Sequence, residues 1–200
     1  MKNIAVFGGT FDPPTRAHEG IIRASLEHPD MDELWLMPSG SRPDKPAMSS
    51  AAARLAMLEL VRHEVFADDE RLKITDFEQR LPQPTQTHQT ARVLEAAYPA
   101  DDFWFVYGAD AYHAMLTWER GAELRQRLGM LLVARSGFEL PVETARLRHL
   151  ALAEATDGLS STEFRRTRQA GGAAAGLVCE AVERYIQTQS LYTAGRIVTL

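Results

Sequence analysis

The sequence predicts the α/β class: a mostly parallel sheet flanked by helices, followed by a helical C-terminal segment from about residue 160. Two observations carry this. Four apolar runs of strand length, Ile4–Phe7, Leu34–Met37, Phe103–Tyr107 and Met130–Ala134, contain few polar residues, as strands buried on both faces do. Segments of helical character lie between them, and strand alternating with helix requires crossover connections and a parallel sheet. Two hundred residues, 45% of them hydrophobic, suit one domain over 1–200.

The elements follow in order. After the first strand, Ala17, Ile21 and Ala24 recur at helical spacing. Leu58, Val61 and Val65 mark a second helix after the second strand. Leu72–Phe77 alternates loosely and reads as a further strand nearer an edge. Thr87–Tyr98 and Ala111–Leu128 lack strand character, and Leu150–Ala155 is ambiguous. Ala170–Gly176 is a small-residue patch, read as a flexible connection. Ser160–Gln169 opens with Ser-Ser-Thr-Glu, a good N-cap sequence. Val178, Ala181, Val182, Tyr185 and Ile186 form the apolar face of a last helix. Packing on the domain is the stronger reading of that helix, with a homo-oligomer surface as the alternative.

Composition narrows the function. With 22 Lys plus Arg against 27 Asp plus Glu, the net charge is −5, which argues against a nucleic-acid polymer as partner. No apolar run approaches the ~20 residues needed to span a bilayer, and the first residues show no cleavable signal pattern. The single Cys179 excludes an internal disulfide framework and a Cys-rich zinc site. A cytoplasmic protein without membrane contact is expected.

Ligands of parallel sheets bind at the carboxyl ends of the strands, so the loops there hold the candidate chemistry. The first strand runs into Gly8-Gly9-Thr10-Phe11-Asp12-Pro13-Pro14 and then a helix with His18 one turn in. Glycines allow close backbone approach, a helix start offers N–H groups to an anion, and Thr10 and His18 add donors. This outlines a phosphate site, although neither GxGxxG nor GxxxxGK[ST] is present. A plain strand-to-helix turn explains the spacing equally well. Pro38 and Pro43 stiffen a loop that delivers Lys45, which alone reads as a solvated lysine. Trp118 alone reads as core, and Ser160–Arg165 alone as a capping box.

The motifs together say more. GGTFDPPTRAH resembles the opening G-x-F-D-P-x-H-x-G-H of the nucleotidylyltransferase superfamily: Gly9, Phe11, Asp12, Pro13 and His18 match, while Thr15 and Ala17 stand for the first His and the Gly. Pro38, Pro43 and Lys45 fit P-x(4)-P-x-K. Thr87 and Thr90 fit P-S-Y-T-x-x-T, with Gln86 in place of Tyr. Gly108 and Asp110 fit G-x-D, and Leu159–Arg165 is similar to I-S-S-T-x-I-R. Val182, Tyr185 and Ile186, then Leu191-Tyr192, are similar to a terminal V-x-x-Y-I and L-Y. The segments agree in order over nearly the whole chain, which therefore resembles the bacterial nicotinate-nucleotide adenylyltransferases, with their Rossmann-like fold.

The resemblance implies that ATP and nicotinate mononucleotide give deamido-NAD and pyrophosphate. It implies His18, Lys45 and Arg165 as catalytic residues. Gly8, Gly9, Thr10, Phe11, Thr15, Gly108, Asp110, Ser160, Ser161 and Thr162 would join His18 and Arg165 around ATP. Lys45, Thr87, Thr90 and Trp118 would hold a pyridine mononucleotide. Mg²⁺ is expected on the ATP phosphates, with no protein metal ligands. Thr15 in place of His predicts an active but slow enzyme, or a variant substrate, through loss of a charged phosphate contact. Two alternatives stay open: another phosphorylated acceptor, such as nicotinamide mononucleotide or phosphopantetheine, and a nucleotide-binding relative with weakened or lost catalysis.

Overall fold

Strand β1 (Asn3–Gly9) lies inside a six-stranded sheet of order β3-β2-β1-β4-β5-β6, in a computed structural model that describes residues 1–40, 47–153, 159–172, 174 and 176–193. The neighbours are β2 (Glu33–Pro38), β3 (Leu72–Ile74), β4 (Asp102–Gly108), β5 (Gly129–Val133) and β6 (Leu147–Leu150), every pair parallel. The chain builds outward from β1 to β3, then crosses back to β4 and builds the other way. Strand order therefore reverses between β1 and β4, which register Ile4 against Phe103. A crevice opens above such a reversal, because the crossovers on its two sides leave in opposite directions.

Alternation along β1 divides the core. Ala5 and Phe7 join Leu36, Leu58, Val133, Phe164 and Ile186 on one side, packed by α1 (Arg16–Glu27), α2 (Ala51–Phe66), α6 (Ser161–Gln169) and α7 (Glu180–Thr188). Ile4 and Val6 face the other way, with Leu94, Tyr112, Leu124 and Leu132, under α3 (Thr87–Ala97), α4 (Ala109–Ala114) and α5 (Gly121–Arg127). The apolar face expected on the last helix is turned inward, Val182 and Ile186 being buried. Cys179 is buried too, and burial pushes its thiol above the usual range.

Two expectations are corrected, and one segment left ambiguous is resolved. The strand expected over Leu72–Phe77 ends at Ile74, because the chain turns at Asp76 into a 3₁₀ turn, Phe77–Arg80. The strand β6 comes earlier than Leu150–Ala155 and pairs with β5 from Leu147. The helical segment Ala111–Leu128 is broken between α4 and α5, where Arg120 takes a left-handed φ of 56°. Gly121 permits that break, since a Cβ there would run into the Met115 carbonyl. Among the described residues no helix is long and apolar enough to cross a membrane.

Candidate active site

The carboxyl ends of β1, β2 and β4, Arg135 just beyond β5 and the starts of α3 and α6 line one cleft of about 920 Å³. Its floor is the end of β1. A Cβ on Gly8 would touch nothing within 4 Å, so this residue borders open space. Gly9 differs: a Cβ there would sit 3.1 Å from the Phe11 ring. Phe11 takes a left-handed φ of 49° and turns its ring inward, edge-on to Phe7 at 5.3 Å and 5.2 Å from the His18 ring. Phe11 thus stands behind the wall of the cleft, supporting His18, and its side chain is not a lining group.

Thr15 caps α1. Its backbone N–H donates to His18 Nδ1 at 2.9 Å, and its hydroxyl, 2.9 Å from the same nitrogen, reaches the Leu159 carbonyl at 3.0 Å. Thr15 is fully buried and does not line the cleft, whereas His18 does. The expectation of a Thr15 hydroxyl on ATP therefore has a different outcome: the side chain is spent between α1 and the head of α6.

The loop after β1 is tied down from three directions. Asp12 accepts from the Met48 N–H at 2.6 Å, from the Ser49 hydroxyl and from the Tyr192 hydroxyl at 2.5 Å. Arg54 of α2, 4% exposed, donates to the Thr10 and Ser39 carbonyls at 3.0 Å each. Burial holds its guanidinium pKa below the usual arginine range. Ser161 donates to the Pro13 carbonyl at 2.8 Å, and Arg165 to the Asp12 carbonyl at 2.7 Å. Ser160, Ser161 and Thr162 line the cleft at the start of α6, where Ser160 caps the helix by accepting the Glu163 N–H. Arg165 stands one turn behind them as a fastener and does not line the cleft.

The opposite end is aromatic. Trp118 meets Tyr107 edge-on at 6.0 Å, the Tyr107 hydroxyl pairs with Thr87, and Thr87 and Thr90 line the cleft from α3. Burial raises the Tyr107 pKa. At the end of β4, Gly108 makes room for the Asp110 carboxylate, which a Cβ would overlap. Arg135 lies across from it, 3.9 Å from Asp110 Oδ1. The structure brings Gly8, Gly9, Thr10, His18, Gly108, Asp110, Ser160, Ser161, Thr162, Thr87, Thr90 and Trp118 to the lining of one cleft. Lys45 and Pro43 lie outside the described residues. Arg135, Arg54 and Tyr107 are not singled out by sequence. For Arg135 a signal exists, a cation two residues past a fully apolar strand end.

A family model described as cytidylyltransferase-like matches residues 6–167. A Thermus thermophilus protein named probable nicotinate-nucleotide adenylyltransferase is 34% identical over 189 residues, covering 94% of this chain and 98% of its own length. The chain belongs to the nicotinate-nucleotide adenylyltransferase family. A Neisseria gonorrhoeae member with the same name is 33% identical over 205 residues, covering 96% of this chain and 99% of its own. The fold is shared with a solved nicotinic acid mononucleotide adenylyltransferase of Plasmodium falciparum complexed with NaAD, at TM-score 0.85 and 21% identity, covering 96% of this chain and 98% of that one. In this adenylyltransferase the polar cleft end, of helix starts and hydroxyls, and the aromatic end are therefore parts of a single nucleotidyl-transfer fold.

Proposed function

We propose that the protein transfers AMP from ATP to nicotinate mononucleotide, giving deamido-NAD and pyrophosphate. The observation that carries this is the two-ended cleft at the strand-order reversal. One end offers N–H groups, hydroxyls and His18 to a triphosphate, and the other offers Trp118 and the start of α3 to a pyridine carboxylate.

The chemistry needs no covalent enzyme intermediate. An oxygen of the nucleotide's 5′-phosphate attacks the α-phosphorus of ATP in line, and the bond from that phosphorus to the bridging oxygen breaks. The electron pair leaves with pyrophosphate. The protein's part is positioning and charge stabilisation. Gly8 and Gly9 admit the phosphates closely. His18 donates from its ring to the α-phosphate and leaving-group side. The start of α6 holds the β- and γ-phosphates, with Arg165 fixing that helix to the first loop. Lys45 is assigned to the substrate phosphate from its motif. Trp118 stacks on the pyridine ring.

Mg²⁺ belongs to this reading as part of the substrate, Mg·ATP. The lining at the triphosphate end is made of N–H, hydroxyl and imidazole donors, which suit phosphate oxygens, and no cluster of three metal-ligating side chains occurs among the described residues. A cytoplasmic location accompanies the reading.

A second acceptor is favoured by one observation. Gln86 lines the cleft where the family pattern has Tyr, and an amide side chain both donates and accepts. Nicotinamide mononucleotide is therefore the next candidate. The test is pyrophosphate release with ATP or CTP against nicotinate mononucleotide, nicotinamide mononucleotide and phosphopantetheine. Turnover is expected with ATP and nicotinate mononucleotide. Silence with every pair would sink the enzyme reading.

A further inference from the structure

We infer that Glu119 sets how the protein ranks its acceptors: its carboxylate, at the aromatic end of the cleft, favours a pyridine nucleotide with an uncharged ring substituent and so narrows the lead of nicotinate over nicotinamide. The inference rests on the adenylyl-transfer reading for the acceptor class. It deepens that reading by naming the side chain that weighs one ring substituent against the other.

Glu119 follows Trp118 directly, and both line the cleft. The turn that carries them is closed on both sides. The Trp118 N–H donates to the Met115 carbonyl, and the Gly121 N–H donates to the Trp118 carbonyl, each at 3.0 Å. Glu119 Oε1 stands 3.8 Å from Nε2 of His88, in the first turn of α3. The His88 side chain is 11% exposed and that of Glu119 60%, so the histidine is the fixed partner and the carboxylate keeps one side to solvent. A carboxylate of the protein thus lies beside the helix start that offers Gln86 and Thr87 to the acceptor. The next residue does not face it with a cation, because Arg120 pairs with Glu123 at 2.6 Å. Arg135, also in the lining, stands beside Asp110.

The acceptors differ in ring charge. In both, the pyridine nitrogen bonded to ribose carries a positive charge. The ring carboxylate of nicotinate cancels it, whereas the amide of nicotinamide leaves it standing. A fixed carboxylate attracts the ring nitrogen in both and repels the substituent in only one. The N–H groups at the start of α3 act in the opposite sense, toward nicotinate. The Gln86 amide serves either substituent. Glu119 is more than half exposed, so water and salt limit its effect to about three- to tenfold.

The test uses the whole protein as wild type, Glu119→Gln and Glu119→Lys, a series in charge at an exposed side chain. Each form is given nicotinate mononucleotide and nicotinamide mononucleotide, in pyrophosphate release with ATP and in calorimetric binding of the mononucleotide alone. The nicotinate-to-nicotinamide ratio of kcat/KM should rise about three- to tenfold in Glu119→Gln and further in Glu119→Lys. The change should lie in the KM for the acceptor, with the KM for ATP within about twofold, and it should shrink in about 0.5 M salt. The binding ratio should move the same way. An unchanged ratio in both variants would overturn the inference, and so would equal changes for the two acceptors, which would show that the position serves shape. Silence in the pyrophosphate assay counts against the transfer reading alone, and the binding ratio then decides. Failure of every form to bind either mononucleotide overturns the inference as well.

Discussion

The hydroxyl of Tyr192 donates to Asp12 Oδ1 at 2.5 Å, joining the first loop to the end of the described chain across 180 residues. Asp12 is 1% exposed, so each donor to its carboxylate matters. Tyr192 is itself buried, with its ring edge-on to Phe164 of α6 at 5.9 Å. Replacing Tyr192 by Phe keeps that ring contact and removes one donor from a buried acceptor. The expected cost is about 1–3 kcal/mol of stability, read by urea unfolding, together with weaker ATP binding as the loop loosens.

Burial, the Asp12 charge and the bond to Asp12 together hold the Tyr192 pKa above its ordinary value, and burial does the same to Tyr107. Both are neutral in folded and unfolded chains below pH about 10, so their contribution is complete there. Above that pH the unfolded chain ionises first, and stability is lost as pH rises. Unfolding free energy measured from pH 8 to 11 should fall more steeply in the wild type than in Tyr192→Phe.

Arg54 holds the carbonyls of Thr10 and Ser39, the residues that follow the adjacent strands β1 and β2. Arg54→Met leaves both buried acceptors without their donor. A loss of about 2–3 kcal/mol is expected, with a larger fall in kcat than Arg54→Lys produces. Equal effects of Met and Lys would show that shape, not donation, is what the position requires.

Gly8 and Gly9 are neighbours with opposite constraints. Gly8→Ala adds a methyl toward open space and should leave the melting temperature unchanged while raising the KM for ATP. Gly9→Ala pushes a methyl against the Phe11 ring and should lower stability by about 1–3 kcal/mol, the usual cost of overpacking. Paired melting curves and initial-rate kinetics separate the two.

Arg135 lines the cleft beside Asp110 and is a candidate charge for the phosphates. Arg135→Gln should reduce kcat/KM ten- to about a hundredfold, the scale of one charge-assisted hydrogen bond, with little change in unfolding. Unchanged kinetics would remove it from the site.

The strands were legible because both faces of a central parallel strand are apolar, as in Ile4–Phe7 and Phe103–Tyr107. The glycine and hydroxyl motifs were legible because phosphate binding constrains backbone and residue type at fixed spacing. What escaped depends on distance in space. Nothing in the residues around Arg54 announces that its head will meet Thr10 and Ser39, and Thr15 read as a lost phosphate contact because the partner that occupies it, Leu159, is 144 residues away. The early strand β6 escaped for a different reason: Leu147–Leu150 carries Arg148 and His149 on an edge, where polar side chains are tolerated.

The bond between Tyr192 and Asp12 also sets an order of events during synthesis. Domains fold as their segments emerge from the ribosome, and the strands from β1 to β6 are all made before residue 151. The sheet can pair while Asp12 still lacks its last donor and the start of α6 is absent from the cleft. The loop made first therefore receives its last carboxylate donor only after translation has passed Tyr192.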